Sequence, residues 1–181
     1  MARNDNPHAL RLAEALRTVL GEEAAERVSL EHPLSKSADA DRKYQWARSV
    51  CACLDSTAGA DEVRQIRRAC RCGDGRTMAQ EIASCIARAR SLQGGCALFS
   101  QKNRYAFLEY VSDRELRFGY HACVCSCVKR AEGLLPLTWC ECSCGYAEAM
   151  LRQVFPAGVQ VELLGSVRAG NDRCLMRVTL L

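Results

Sequence analysis

Arg104-Tyr-Ala-Phe-Leu-Glu-Tyr-Val-Ser-Asp-Arg-Glu115-Leu-Arg-Phe-Gly-Tyr-His-Ala-Cys-Val-Cys-Ser-Cys-Val128 is the stretch in which the hydrophobic pattern changes period. Before it, apolar residues recur every three to four positions; within it they alternate. The alternation predicts two strands, Arg104–Val111 and Glu115–Val128, joined by a tight turn at Ser112-Asp113. In the second strand Leu116, Phe118, Tyr120, Ala122 and Val124 share the core face. A period of two then sets Glu115, Arg117, Gly119, His121, Cys123, Cys125 and Cys127 on the other face.

Toward the N-terminus the period is helical. Pro7 fits the first turn of a helix over residues 7–20, with Leu10, Ala13, Leu16 and Leu20 on one face. A polar stretch, 33–41, reads as a linker. Helices follow over about 40–54 (stripe Trp46, Val50, Cys53), 60–71 (Val63, Ile66, Cys70) and 77–92 (Met78, Ile82, Cys85, Ile86), the last stopped by Gly94-Gly95. Toward the C-terminus a helix over 143–155 precedes a hairpin of 159–167 and 174–181 with its turn at Gly170-Asn-Asp. The expected fold is α+β: N-terminal helices (1–95) packed with an antiparallel sheet in a cysteine-rich region (96–181) that ends in a helix and a β-hairpin, together one compact unit.

Composition narrows the function classes. The chain has 181 residues, 49% of them apolar and 6% aromatic, which is enough for a core without covalent staples. Its formal charge is +4, carried almost wholly by Arg. Arg67, Arg68 and Arg71 read as a solvated helix face, and no nucleic-acid motif accompanies them. The N-terminal stretch Met1-Ala-Arg-Asn-Asp-Asn-Pro7 lacks the apolar region of a signal peptide, and no run is long enough to span a membrane. A cytoplasmic protein is expected, whose thiols stay reduced.

The thirteen cysteines are an odd number, which argues against a closed disulfide framework. Seven lie in the last third: Cys123, Cys125, Cys127, then Cys140, Cys142, Cys144, and Cys174. Alternate thiols on an ideal strand stand about 6.5–7 Å apart. That exceeds what one zinc accepts from neighbours, since zinc–sulfur bonds are about 2.3 Å. Rotamers and local bending close part of that gap, and the expectation is that single thiols from each segment meet one another. Three readings stay open for them: metal ligation, a catalytic or redox thiol pair, and inert buried cysteines. Cys144, in the first turn of its helix, is the candidate nucleophile, and His121 the candidate base or ligand. Cys53, Cys70 and Cys85 sit on helix stripes, either as small buried hydrophobes or as thiols that the helices bring to one metal or redox site, and the roles of Cys51, Cys72 and Cys96 are open. His8 and His32 show no visible partner in the sequence.

The last 42 residues look like the 4-vinyl-reductase-type domain. Cys140-Glu-Cys-Ser-Cys-Gly145-Tyr146 matches that family's opening, Val159 to Ser166 its strand, and Gly170-Asn-Asp-Arg-Cys174 its closing hairpin. The resemblance implies that Cys140 and Cys174 take the places of two zinc ligands. Ser166 stands where the family's strand cysteine falls, and Leu163, beside Glu162, near its glutamate; Cys142, Cys144 or the His121–Cys127 face would supply replacements. The whole chain also resembles a cysteine-rich prokaryotic family of unknown function, some of whose relatives carry the label L-2-amino-thiazoline-4-carboxylate hydrolase. Lys43-Tyr-Gln-Trp46-Ala and Cys70-Arg-Cys72-Gly carry that likeness. The resulting expectation is a zinc domain that binds a small molecule near Trp139, Tyr146 and Phe118, with a homodimer compatible. Its alternatives are a metal- or thiolate-dependent hydrolase of a small sulfur or nitrogen compound and an iron–sulfur or metal-handling protein.

Overall fold

Asn6 accepts a hydrogen bond from the His8 amide and Pro7 occupies the first turn, so helix α1 runs over Pro7–Leu20 as the pattern predicts. The computed structural model describes residues 4–181; Met1–Arg3, the start of the stretch read for a signal peptide, lies outside the described residues. α1 is followed directly by α2 (Glu22–Glu31), which the sequence pattern does not reveal. Only Ala25 and Val28 of α2 are buried, too narrow a stripe to announce a helix. Asp39 caps α3 (Ala40–Thr57) by accepting from the Arg42 amide, and α4 (Ala60–Ala69) follows.

The expected stop at Gly94-Gly95 is a correction. α5 (Arg76–Ala89) ends earlier, and Ser91 starts α6 (Leu92–Lys102) by accepting from the Gly94 amide. A Cβ on Gly95 would lie 2.6 Å from the Ile86 Cα, so this glycine lets two helices cross closely and does not end one. Cys96, whose role the sequence leaves open, is buried in α6.

Four strands form one antiparallel sheet of order β1-β2-β4-β3: β1 (Ala106–Ser112), β2 (Glu115–Tyr120), β3 (Val159–Gly165) and β4 (Cys174–Leu180). Leu116, Phe118 and Tyr120 lie on the buried face, opposite Val178, Met176 and Cys174 of β4. The outer face is ionic: Arg177 Nη1 meets Glu162 at 2.8 Å and Arg117 meets Glu115 at 2.8 Å. Helix α7 (Glu141–Leu151) precedes β3 and is entered through a 3-10 turn, Leu137–Cys140. Mixed helices with an antiparallel sheet and a C-terminal hairpin are as expected.

The second strand is shorter than its alternation suggests. Pairing with both neighbours ends at Tyr120, opposite Ala106 and Cys174. Beyond it the chain bends and turns, with the Lys129 amide donating to the Cys125 carbonyl at 2.9 Å. Ala122 and Val124, expected in the core, are exposed, while Cys127 and Val128 are buried. The strand face that was to carry His121, Cys123, Cys125 and Cys127 together therefore does not form: alternation without a pairing partner does not make a strand.

The described chain divides into two compact units. One comprises the residues up to Arg71 with Val124–Cys142; its core includes Leu16, Leu34, Trp46, Leu54, Ile66 and Trp139. The other comprises Cys72–Cys123 with Ser143–Leu181 and is built on α5, α6 and the sheet, with Ile82, Phe99, Phe118, Met150 and Met176 inside.

Candidate functional site

The first unit buries a cation. Arg67 stands one helical turn beyond Val63, on the apolar face of α4, and is only 4% exposed. Its Nη2 donates to the Trp139 carbonyl at 2.8 Å, and its guanidinium carbon lies 3.9 Å from the centroid of the Trp139 ring. Trp46 meets Trp139 edge-on at 5.9 Å, closing a wall of two indoles beside the charge. Arg67 Nε and Trp139 Nε1 are both buried and have no hydrogen-bond partner among the described residues.

Thiols surround this charge. Burial opposes the charged form of Arg67; Cys70, then Cys142, Cys51 and Cys125, favour it where they are ionised, and the net shift of its pKa is upward. The adjacent carboxylate, Glu141, is engaged by Arg68 at 2.9 Å and by Arg64 at 3.9 Å. Cys142 Sγ donates to the same Trp139 carbonyl that Arg67 holds. Burial pushes the Cys51 thiol up to about 11 and the Cys127 thiol up to about 12. Both are protonated at neutral pH and do not by themselves neutralise Arg67. A buried guanidinium without an anion is costly, so this arrangement calls for negative charge.

Gly133 brings the connecting loop onto α3. Its φ of +101° and a virtual Cβ 2.3 Å from the Tyr44 hydroxyl leave room only for glycine, and Tyr44 Oη then donates to the Leu134 carbonyl at 2.9 Å. Beside the first triplet, His8 Nε2 lies 3.1 Å from Ser126 Oγ, and Arg11 Nη2 donates to His8 Nδ1 at 2.9 Å. Because arginine only donates, Nδ1 is the acceptor and Nε2 carries the proton. Burial, then Arg11, Arg67 and Lys43, lower the His8 pKa to about 4. His8 is thus a neutral donor toward Ser126 and not its general base.

Of the residues picked from the sequence, Cys125, Cys127 and Cys142 fall in this environment, and Cys140 is buried in the same segment. Cys51, Arg67 and His8 join them unforeseen, and Cys70 joins them as the site alternative for the helix cysteines allowed. Trp139, picked as a ligand contact, also lies in the first unit, and the second unit holds His121, Cys123, Cys144, Cys174, Phe118 and Tyr146. His121 is exposed, its ring 5.2 Å from that of Phe107; Cys123 is half-buried. Cys144 is fully buried on α7, and Cys174 is buried on the inner face of β4. Phe118 is fully buried against Tyr120, and Tyr146 is half-buried, with its hydroxyl pKa raised by burial and by Asp74. Separately, Glu31, His32 and Cys53 place one ligand atom each within 4.8 Å of one another.

Fold and thiols together define a cysteine-rich α+β protein. The chain belongs to the Family of unknown function (DUF6144), whose model matches residues 8–181. No curated protein matches it. Among solved structures it is similar to H-NOX domains from Shewanella oneidensis. One is a mutant domain in the Fe(II)CO ligation state, 11% identical with TM-score 0.45, covering 97% of each chain. Another is an H-NOX protein in the Fe(II)NO ligation state, 13% identical with TM-score 0.45, covering 97% of this chain and 99% of that one. Likeness at this level assigns no ligand to the chain. No helix among the described residues is long and apolar enough to cross a membrane.

Proposed function

We propose that the first unit is a metal–thiolate centre, with zinc as its metal, and that Arg67 is the counter-charge of that centre. The observation that carries the reading is a buried guanidinium that shares the Trp139 carbonyl with the Cys142 thiol and has Cys70, Cys51 and Cys125 as further electrostatic neighbours. The donor set fits: thiolates are soft ligands suited to zinc, and several of them around one divalent ion leave net negative charge. Arg67 offsets that charge, and the unpartnered Arg67 Nε and Trp139 Nε1 supply N–H groups for sulfur to accept. Of the two ligand positions that the resemblance to 4-vinyl-reductase-type domains implies, Cys140 belongs to the same segment as Cys142, whereas Cys174 belongs to the other unit. Bound zinc would supply a fold-stabilising cross-link if its ligands are all protein, or Lewis acidity if one position is open.

The same two N–H groups favour a second reading. A small molecule bearing a carboxylate or another anionic acceptor would answer both Arg67 and Trp139. One experiment separates the two. Protein purified anaerobically is analysed for metal and by visible spectroscopy, beside Cys70→Ser and Cys142→Ser. The expected result is a colourless protein that contains zinc and loses one equivalent in each variant. Unchanged metal content in both variants overturns the metal reading and leaves the anion site, and a brown, absorbing protein replaces zinc by an iron–sulfur cluster.

A further inference from the structure

α3 presents Trp46, Ser49 and Cys53 along one face, at i, i+3 and i+7, and each approaches a different part of one residue, His32. Trp46 Nε1 donates to the His32 carbonyl at 2.9 Å. Ser49 Oγ lies 2.7 Å from His32 Nδ1. One turn further, Cys53 Sγ stands within 4.8 Å of the histidine and of Glu31. Glu31 is the last residue of α2 and His32 its C-cap, at φ −124° and ψ 60°. Neighbours inside a helix diverge, and leaving helical geometry here lets their side chains converge: His32 Nε2 is 4.0 Å from Glu31 Oε2.

We infer that Glu31, His32 and Cys53 form a second metal site, separate from the thiols at Arg67, for a borderline divalent ion of the zinc and cobalt class. The three donors are a carboxylate oxygen, an imidazole nitrogen and a thiolate sulfur, the mixture such ions take. Ser49 acts on the ligand: with Nδ1–H donating to Ser49 Oγ, the histidine presents the Nε2 lone pair, the outer-shell arrangement that fixes a metal-binding tautomer. Trp46 fixes the backbone beneath it. Coordination releases the Cys53 thiol proton to solvent, and thiolate plus carboxylate then balance the ion's two charges. Three protein ligands leave a position for water or a small ligand. Glu31 is exposed and Cys53 and His32 half-buried, so the site is reached from solvent and exchanges its ion.

The test uses Cys53 alkylation in the intact chain, followed by peptide mass spectrometry with and without zinc. Zinc is expected to slow modification of Cys53 at least tenfold in the wild-type protein and to leave the rate unchanged in His32→Gln. Substituting cobalt for zinc is expected to give a thiolate-to-cobalt charge-transfer band that Cys53→Ser reduces by one equivalent. This holds whether or not the Arg67 thiols carry metal, because the readout is taken at Cys53 itself. Equal alkylation with and without zinc, or equal protection in His32→Gln that folds as wild type by circular dichroism, overturns the site. Ser49→Ala, which removes no ligand, is expected to weaken zinc protection roughly tenfold; an unchanged affinity would remove Ser49 from the site.

Discussion

Cys51, in the unit that holds Arg67, and Cys96, in the unit built on the sheet, are alike as thiols. Both are buried on helices, and burial pushes each up to about 11. What differs is the company. Cys96 shares the interior of α6 with Gly95 and Phe99, whereas the Cys51 thiol feels the charge of Arg67. A raised pKa therefore does not separate a packing cysteine from a functional one, because burial alone produces it. The buried cation does separate them, since apolar packing gives no reason to place one there.

The largest effect that would break this contrast is expected at Arg67. If the thiols hold a metal, or the pocket an anion, Arg67→Met leaves negative charge buried without its partner. The protein should then lose about 3–5 kcal/mol in urea unfolding, together with metal content. If nothing anionic is ever bound there, the same substitution removes an unpaired buried charge and replaces it with a hydrophobe. Stability should then rise. The sign of the change decides. Phe118→Ala supplies the control from the other unit: the ring is fully buried, so its truncation should cost about 3–5 kcal/mol while the metal content per folded chain stays constant.

Much of the fold is written locally. Pro7, the stripe of the helix that starts near Ala40 and the alternation of β2 through Tyr120 each state their own structure, and each is found. What local pattern cannot state is pairing. The alternation of Ala122, Val124 and the first triplet continues past the last residue that has a strand beside it. Arg67 was legible in a different way: it lies at i+4 from Val63 on the apolar stripe, a charge on the wrong face of its helix. Grouped with Arg68 and Arg71, it reads as surface. His8 and His32 could not be placed from sequence, because their partners Ser126 and Ser49 lie 118 and 17 positions away.

A smaller, pH-dependent difference sharpens the comparison. His8 belongs to the first unit, and its folded pKa of about 4 lies below the ordinary 6.5. The unfolded chain binds more protons than the folded one between those values. The stability His8 contributes is thus complete above pH 6.5 and is lost as pH falls toward 4. His8→Gln should flatten the stability profile in that window, as followed by urea midpoints at successive pH values. Cys51 and Cys127 act at the opposite end. Their folded pKa values exceed the ordinary 9.0, so the stability they contribute is present below pH 9 and falls as pH rises toward 11 and 12. A metal-loaded protein should not show this alkaline loss at Cys51, whose proton coordination has already displaced.

The smallest effect is the one that most directly compares the two cysteines. Cys96→Ala and Cys51→Ala remove the same sulfur from equally buried helical positions, so packing alone predicts similar losses of about 1 kcal/mol. In protein as purified, Cys51→Ala should cost more, because it also removes a thiolate from the centre that Arg67 offsets. Chelator treatment should erase the excess and bring the two variants together. Measured as urea midpoints before and after chelation, a difference that survives metal removal would mean that Cys51 matters for packing alone. A difference absent from the start would mean that the Arg67 thiols, for all their surroundings, are as inert as Cys96.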